Sequence, residues 1–218
     1  NVLYNLAQKF NLSYIEHKKH IGGRYSILSE VGIIPSYLMG LNITKLRNRI
    51  RDPLSKKKLT FLKASSLKLA SFISSRKFNN IILINYAPEL NKFLFWCQQL
   101  IAESLGKKGK GFFPTISTAP KDHHSLLQLY LDGPRDKLFY IFSASDTSKE
   151  RINLKKILPK AYYLNKKRLS TIKDAQKNAL IKSLKKNKIP FREFGVSKIN
   201  EETLGELFSY FILETILV

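Results

Sequence analysis

The hydrophobic positions of this chain form two kinds of pattern that alternate along the sequence, one typical of strands and one typical of helices. The clearest strand pattern is Asn80–Asn85, a short apolar run with β-branched residues, as expected for a strand buried on both faces. Phe112–Thr118, Lys137–Phe142 and Pro190–Val196 are further strand candidates. Because helical patterns separate these segments, the alternation predicts an α/β fold. We expect a three-layer αβα sandwich with a mainly parallel sheet.

Helices are predicted wherever apolar residues recur three and four apart. These segments are 1–11, the second half of 20–35, 42–78, 88–105, 122–133, 169–186 and 200–218. Gly106 and Gly133 are stop signals, and Asp122 is expected to cap the helix that begins behind it. Buried stripes are expected in 42–78, formed by Leu59, Leu62, Leu67 and Leu69, and in 88–105, formed by Leu90, Phe93, Leu94, Cys97 and Ile101. A polar loop precedes residue 169.

The chain carries a formal charge of +22, from 38 Lys and Arg against 16 Asp and Glu. Such a balance suits nucleic acid, an anionic membrane surface or a small anionic substrate. The positive residues are scattered through a chain that is rich in Lys, Asn and Ile throughout, and few aromatic residues interleave the basic stretch 42–78. We interpret the positive charge mainly as a general bias in amino-acid composition, and expect neither a nucleic-acid nor a membrane partner.

The cysteine count, the lengths of the apolar runs and the hydrophobic fraction indicate the cellular compartment and the domain organisation. The single Cys97 cannot form an internal disulfide, which favours a reducing, cytoplasmic location. No apolar run approaches the ~20 residues of a membrane span, and the N-terminus lacks the features of a signal peptide. A hydrophobic fraction of 44% predicts a real core, in one domain over residues 1–218. Both ends fall inside predicted helices, and the first residue is Asn1, so we expect a piece of a longer protein.

Candidate chemistry is concentrated in the helix that ends before Gly106. Gln99 and Glu103 are four residues apart, so they lie one above the other on one helix face. A carboxylate one turn from a carboxamide can be a catalytic base beside a hydroxyl-binding group. Taken alone, the same glutamate is better explained as a solvated residue on an ordinary amphipathic helix.

Two further loci carry polar chemistry. Gly22 and Gly23 precede Arg24, so a backbone without side-chain bulk would stand beside a fixed cation. His123 and His124 stand at the start of a predicted helix, whose positive end disfavours an imidazolium and keeps a histidine neutral. Each motif has an ordinary structural explanation when taken alone, as a turn or as polar helix-start residues. No metal-ligand spacing and no phosphate-cradling P-loop is present.

Together the three loci resemble the glucose-6-phosphate isomerase family. Ile21-Gly22-Gly23-Arg24-Tyr25-Ser26 is similar to the family's glycine–glycine–arginine signature, with Lys19 and Glu30 departing from it at positions not expected to touch substrate. Gln98-Gln99 and Glu103-Ser104-Leu105-Gly106-Lys107 resemble its glutamine and glutamate segment. Asp122-His123-His124-Ser125 resembles its histidine segment, with His123 in place of the usual glutamine, so that the catalytic histidine maps to His124.

The resemblance implies a sugar-isomerase (SIS) fold and an isomerisation between glucose 6-phosphate and fructose 6-phosphate through a cis-enediol, as in glycolysis and gluconeogenesis. It implies that Glu103 is the base, that Arg24 stabilises the enediolate-like charge and that His124 opens the sugar ring. Gly23, Arg24 and Gln99 would bind substrate. No cofactor or metal is implied. In this family the histidine enters the site from the other subunit of a homodimer.

The resemblance also implies that two functional segments lie outside this sequence, a phosphate-binding Ser/Thr loop before Asn1 and a lysine-containing segment after Val218. The chain would then be the second SIS-like domain of a two-domain protein, inactive by itself. Two other readings stay open: a non-catalytic phosphosugar-binding domain of the same fold, and a basic nucleic-acid-binding protein supported only by the charge.

Overall fold

A parallel sheet lies between two layers of helices. The computed structural model describes residues 2–145, 150–154 and 159–218. Its sheet has the order β2-β1-β3-β4, and every neighbouring pair of strands is parallel. The strands are β1 (Asn80–Asn85), β2 (Phe113–Thr118), β3 (Lys137–Ala144) and β4 (Phe191–Val196). This confirms the predicted α/β class and parallel sheet; Asn1 and two stretches of the predicted polar loop lie outside the described residues.

The helices of the described residues begin and end close to the sequence signals. They are α1 (Val2–Lys9), α2 (Glu30–Leu38), α3 (Ile43–Asn48), α4 (Lys56–Ser75), α5 (Asn91–Leu105), α6 (His123–Asp132), α7 (Leu169–Lys186) and α8 (Glu201–Leu217). Short 3₁₀ helices cover Gly23–Leu28, Asp52–Leu54, Pro88–Leu90 and Pro159–Leu164. Gly106 and Gly133 directly follow α5 and α6, and the side chain of Asn200 caps α8 by accepting from the Thr203 amide at 3.0 Å.

The core divides into two halves because successive strand residues point to opposite faces. On one face, Leu83 of β1 and Phe142 of β3 pack with buried residues of α4, α5 and α8. On the other face, Ile84 and Ile141 pack with α6 and α7. Both faces are covered, so β1 is buried from its second residue to its last, as its continuous apolar run predicts.

One burial prediction is wrong. In α4, Leu62 and Leu69 are buried, but Leu67 is 74% exposed. Leu67 and Leu69 are two residues apart and so point to nearly opposite sides of a helix that packs through one stripe. The apolar residues of α1 and its end, Val2, Leu3, Leu6 and Phe10, are also exposed. None of the described helices is both long and apolar enough to cross a bilayer. The expected cytoplasmic location stays a prediction.

Candidate active site

Helix α5 carries Glu103 to the end of the sheet where the strands begin. The helix follows β1 and returns antiparallel to it before β2 starts, so its last turn lies beside the amino ends of the strands. A hydrogen bond fixes this arrangement: the side-chain amide of Gln98 donates to the carbonyl of Pro114, the second residue of β2, at 2.8 Å. The position of Glu103 therefore follows from the β–α–β connection itself.

Four polar side chains meet at that end of α5. The Gln99 amide donates to one carboxylate oxygen of Glu103 at 2.8 Å, which confirms that the two residues share a helix face. Arg24 Nη1 lies 3.4 Å from the other oxygen. Arg24 Nε donates to the Ser104 hydroxyl at 2.8 Å. We call Arg24, Gln99, Glu103 and Ser104 the Arg24–Glu103 cluster; it joins residues almost 80 positions apart in the sequence.

The backbone of Arg24 is held by the same helix. Arg24 lies in the 3₁₀ helix Gly23–Leu28, and its carbonyl accepts a hydrogen bond from the indole of Trp96 at 3.0 Å. Trp96 and Ser104 are eight residues apart on α5, or ~12 Å along its axis. The arginine side chain therefore lies along the helix, anchored at both ends, with its guanidinium carbon 5.0 Å from the centre of the Tyr25 ring.

The two glycines before Arg24 are not explained by the packing of the described residues. Gly22 has an ordinary φ of −69°, and Gly23 is not among the described residues with positive φ. A Cβ placed on Gly23 would meet no described atom within 4 Å, and one on Gly22 would touch only the Tyr25 ring at 3.8 Å. Neither backbone strain nor internal crowding calls for glycine here, whereas close approach of a ligand would.

The cluster is accessible to a ligand while its cation is partly shielded. The Glu103 side chain is 50% exposed and that of Arg24 is 23% exposed. Burial raises the pKa of Tyr25, but the hydrogen-bonding groups of Ser104 and Thr215 and the guanidinium of Arg24 lower it by more, so it lies below its ordinary value. The Tyr25 hydroxyl donates to the Ser104 oxygen at 2.9 Å. A carboxylate thus faces solvent beside a cation whose position is fixed.

The histidine pair lies at the other end of the sheet. His123 and His124 begin α6, which follows the carboxyl end of β2. Since β2 has six residues, it separates these side chains from the Arg24–Glu103 cluster by roughly 20 Å at ~3.3 Å per residue. His124 is exposed and lies away from the cluster of its own chain. One chain therefore does not bring all the predicted catalytic residues together.

The expectation that Asp122 caps α6 through its side chain is wrong. Asp122 has α-helical backbone angles instead of the extended ones of a capping residue, and its carboxylate forms no capping hydrogen bond with α6. It accepts from the amide of Thr118 at 2.7 Å and from the hydroxyl of Ser117 at 3.2 Å. Asp122 therefore ties the start of α6 to the end of β2.

His123 is held by a buried tyrosine. Its Nε2 lies 2.7 Å from the hydroxyl of Tyr86, which follows β1 and is only 1% exposed. Burial lowers the pKa of His123 and, despite an opposing effect of Asp122, keeps it below its ordinary value. Burial raises the pKa of Tyr86. A protonated phenol and a neutral imidazole pair well, with the hydroxyl donating, and His124 is left free to face solvent. The lowered pKa of His123 favours the neutral form expected from the sequence, but its main cause is burial.

A sizeable cavity among the described residues lies elsewhere. It has a volume of about 630 Å³ and is lined by α4, β4 and α8, including Phe61, Phe194 and Tyr210. None of the predicted site residues lines it. Two of the cations that line it are already paired, because Arg49 and Lys58 both contact Glu206 at 2.5 Å. We therefore place the candidate site at the open Arg24–Glu103 cluster and not in this cavity.

Sequence reasoning missed the residues that hold Arg24. Ser104 was recognised within the glutamate segment but given no role, and Trp96 was not singled out. Their contacts with Arg24 join positions 72 to 80 residues apart, and no local spacing reports such a pairing. The available signal was indirect: Ser104 directly follows the predicted base on a helix end.

No family model matches the chain, whereas comparison with curated proteins finds relatives along most of its length. The chain is 31% identical over 217 residues to a probable glucose-6-phosphate isomerase of Methanococcus maripaludis, covering 98% of this chain and 49% of that protein. It is 30% identical over 211 residues to the glucose-6-phosphate isomerase of Methanocaldococcus jannaschii, covering 92% and 51%. The chain thus spans about half the length of the curated relatives it matches.

Solved structures support the fold. A hypothetical protein of Thermus thermophilus superposes with a TM-score of 0.86 at 24% identity, over 99% of this chain and 54% of that one. A glucose-6-phosphate isomerase of Chlamydia trachomatis superposes with a TM-score of 0.71 at 16% identity, over 99% and 50%. The solved structures show the fold, and the sequence relatives show that nearly the whole chain is similar to about half of a glucose-6-phosphate isomerase.

Proposed function

We propose that the protein carrying this chain interconverts glucose 6-phosphate and fructose 6-phosphate through a cis-enediol, in the sugar metabolism of the cytoplasm. The observation that carries the proposal is the convergence of Arg24 and Gln99 on the two carboxylate oxygens of Glu103, at 3.4 and 2.8 Å, in a relative of glucose-6-phosphate isomerases. Because the chain spans half of those relatives, the reaction is proposed for the whole protein and not for residues 1–218 alone.

Glu103 is proposed as the base of the isomerisation. A proton must leave C2 of the open-chain aldose and return at C1, and one carboxylate above the plane of the enediol can reach both carbons. The half-exposed position of Glu103 gives a flat substrate room to approach. The Gln99 amide holds the carboxylate on one side, and in the complex it would also lie within reach of a sugar hydroxyl.

Arg24 is proposed as the group that stabilises the charge on the enediolate oxygens. As the proton leaves C2, negative charge develops on the carbonyl oxygen, and a fixed guanidinium lowers the energy of that state without having to reorganise. The anchoring of Arg24 by Trp96 and Ser104 supports this role. The bare backbone at Gly23 would let the sugar lie close to the arginine.

His124 is proposed to open the sugar ring, in a site to which a second copy of the chain contributes. Ring opening needs proton transfer between the ring oxygen and the hydroxyl on C1, for which a histidine near neutral pH is suited. Within one chain His124 lies about one strand length from Glu103, whereas its exposure leaves it free to enter the site of a neighbour. A homodimer with two shared sites follows from this proposal.

Exchange of the transferred proton tests the reaction directly. Glucose 6-phosphate is incubated with the full-length protein in D₂O and followed by NMR. The proposal predicts fructose 6-phosphate that carries deuterium at C1, and loss of this product in the Glu103→Gln variant. Binding of the sugar phosphate without exchange would contradict it, and would identify the non-catalytic phosphosugar-binding domain instead.

A further inference from the structure

The orientation of Arg24 depends on a serine that has no role in the proposed chemistry. Arg24 faces Glu103 at 3.4 Å across a half-exposed ion pair, and such pairs restrain geometry weakly because solvent screens them. The shorter contact is the hydrogen bond from Nε to the Ser104 hydroxyl at 2.8 Å. The serine is therefore better placed than the glutamate to fix the direction of the guanidinium.

Ser104 uses its acceptor capacity fully. It accepts from Arg24 Nε at 2.8 Å and from the Tyr25 hydroxyl at 2.9 Å, and a hydroxyl oxygen has two acceptor lone pairs. Tyr25 also lies with its ring 5.0 Å from the guanidinium carbon. The plane of the guanidinium is thus restrained by the ring and its rotation by the serine, while the Trp96 bond holds the backbone behind it.

The serine leaves the outer end of the guanidinium available. Nε is occupied by Ser104 and Nη1 faces Glu103, whereas Nη2 has no hydrogen bond with any of the described residues. A donor left free beside the base is what a developing oxyanion requires. Because Ser104 directly follows Glu103 on α5, one helix end sets the positions of both the base and the cation.

From these contacts we propose that Ser104 is a positioning residue, which fixes the Arg24 guanidinium for the charge that develops on the enediolate. The inference rests on the isomerase function proposed above. It predicts that removing the hydroxyl harms the transition state more than substrate binding, because the arginine stays but loses its direction. Misplacement by ~1 Å can cost on the order of 100-fold in rate.

Kinetics of the full-length protein test this role. Ser104→Ala should lower kcat by roughly 10- to 100-fold with KM changed less than about 3-fold. It should weaken a planar, anionic hydroxamate mimic of the enediolate by a similar factor, and a reduced, open-chain polyol phosphate hardly at all. Ser104→Thr, which keeps the hydroxyl, should recover most of kcat. Ser75→Ala is the matched control, since Ser75 is an exposed serine in the last turn of α4.

Coupling between the two residues decides whether Ser104 acts through Arg24. In an Arg24→Ala background, Ser104→Ala should cost less than about 2-fold, because the group it orients is gone. Equal losses in both backgrounds would overturn the proposal, as would equal weakening of the hydroxamate and the polyol phosphate.

A measurement that does not need activity separates this inference from the isomerase proposal. The Arg24 Nε–H signal in ¹⁵N NMR should exchange slowly in the wild type and in Ser104→Thr, and at least about 10-fold faster in Ser104→Ala, where the hydrogen bond is lost. Unchanged exchange in Ser104→Ala would overturn the positioning role. A protected signal in a wild type that does not isomerise the sugar phosphate would instead refute the proposed reaction and the catalytic purpose of the anchoring.

Discussion

The two ends of the sheet present their polar residues in different ways. At the amino end, the Arg24–Glu103 cluster is complete within one chain, and each member contacts another member at 3.4 Å or less. At the carboxyl end, His123 is bound to the buried Tyr86 while its neighbour His124 is exposed. The polar residues of the amino end are therefore preassembled, since they already contact one another within one chain, whereas His124 at the carboxyl end faces solvent.

This contrast shows which part of the proposed reaction a single chain can support. Proton transfer between C2 and C1 needs a base and a fixed cation, and the amino end supplies both. Ring opening is proposed for His124, which lies roughly 20 Å from that end within the same chain. The proposed division of labour therefore makes assembly of two copies part of the catalytic site.

The largest effect is expected at the preassembled end. Glu103→Gln should keep the fold, because the side chain is half exposed, and should lower isomerisation by about 3–6 orders of magnitude, compared with ~10²–10⁴ for ordinary acid–base assistance. Glu89→Gln is the control, as it neutralises an exposed glutamate just before the start of α5. Retention of a substantial fraction of activity in Glu103→Gln would remove Glu103 from the role of base.

The next effect separates the two ends by substrate. His124→Ala should lower turnover of the cyclic sugar phosphate by about 10²–10⁴-fold, and that of an open-chain analogue by less than about 10-fold, because only the cyclic substrate needs ring opening. Glu103→Gln should harm both substrates equally. Steady-state kinetics with the two substrates measure this. Equal damage to both by His124→Ala would argue against ring opening as its function.

A smaller effect concerns the anchoring of His123. Tyr86→Phe removes the hydroxyl 2.7 Å from Nε2 and should cost about 1 kcal/mol of unfolding free energy, or ~2–4 °C in Tm for a chain of this length. His123→Ala should destabilise similarly and change the kinetics little, as the sequence comparison predicts. His20→Gln, at an exposed histidine, is the control. A collapse of activity in His123→Ala at full stability would reverse the assignment of the two histidines.

The smallest effect is a pH dependence of stability. The folded-state pKa of His123 is lowered by burial, whereas the unfolded chain has the ordinary value of about 6.5. The unfolded state therefore binds more protons in this window, so stability rises with pH and is lost as pH falls from about 6.5 through the folded-state pKa. Denaturant unfolding between about pH 5 and 7 should show a steeper loss in the wild type than in His123→Gln. Parallel curves would contradict a buried, neutral His123.

The elements were predictable because their signals are local. Asn80–Asn85 is apolar at nearly every position, and a strand covered on both faces needs no alternation. The ends of α5 and α6 followed from Gly106 and Gly133, whose positions directly after the helices are confirmed. The pairing of Gln99 with Glu103 follows from the pitch of one helix and needs no tertiary information.

What could not be predicted depends on distant packing. Leu67 has apolar neighbours in the sequence, yet none of the described elements packs over it closely enough to bury it, and it is 74% exposed. The carboxylate of Asp122 could accept a hydrogen bond from the first turn of α6 or from the end of β2, and in the structure it accepts from the amide of Thr118. The bond between Arg24 and Ser104 exists only because the 3₁₀ helix Gly23–Leu28 packs against the end of α5. The roles of Arg24, Glu103 and His124 stay predictions until they are measured.

Complementation between inactive chains tests the central claim, that each site combines the Arg24–Glu103 cluster of one chain with His124 of another. Glu103→Gln and His124→Ala chains are unfolded, mixed and refolded together. Shared sites predict recovery to about 25% of wild-type activity, since half of the dimers are mixed and each has one intact site. Mixing Glu103→Gln with Arg24→Ala should recover nothing, because that pair belongs to one chain. No recovery in the first mixture, or equal recovery in both, would contradict the account.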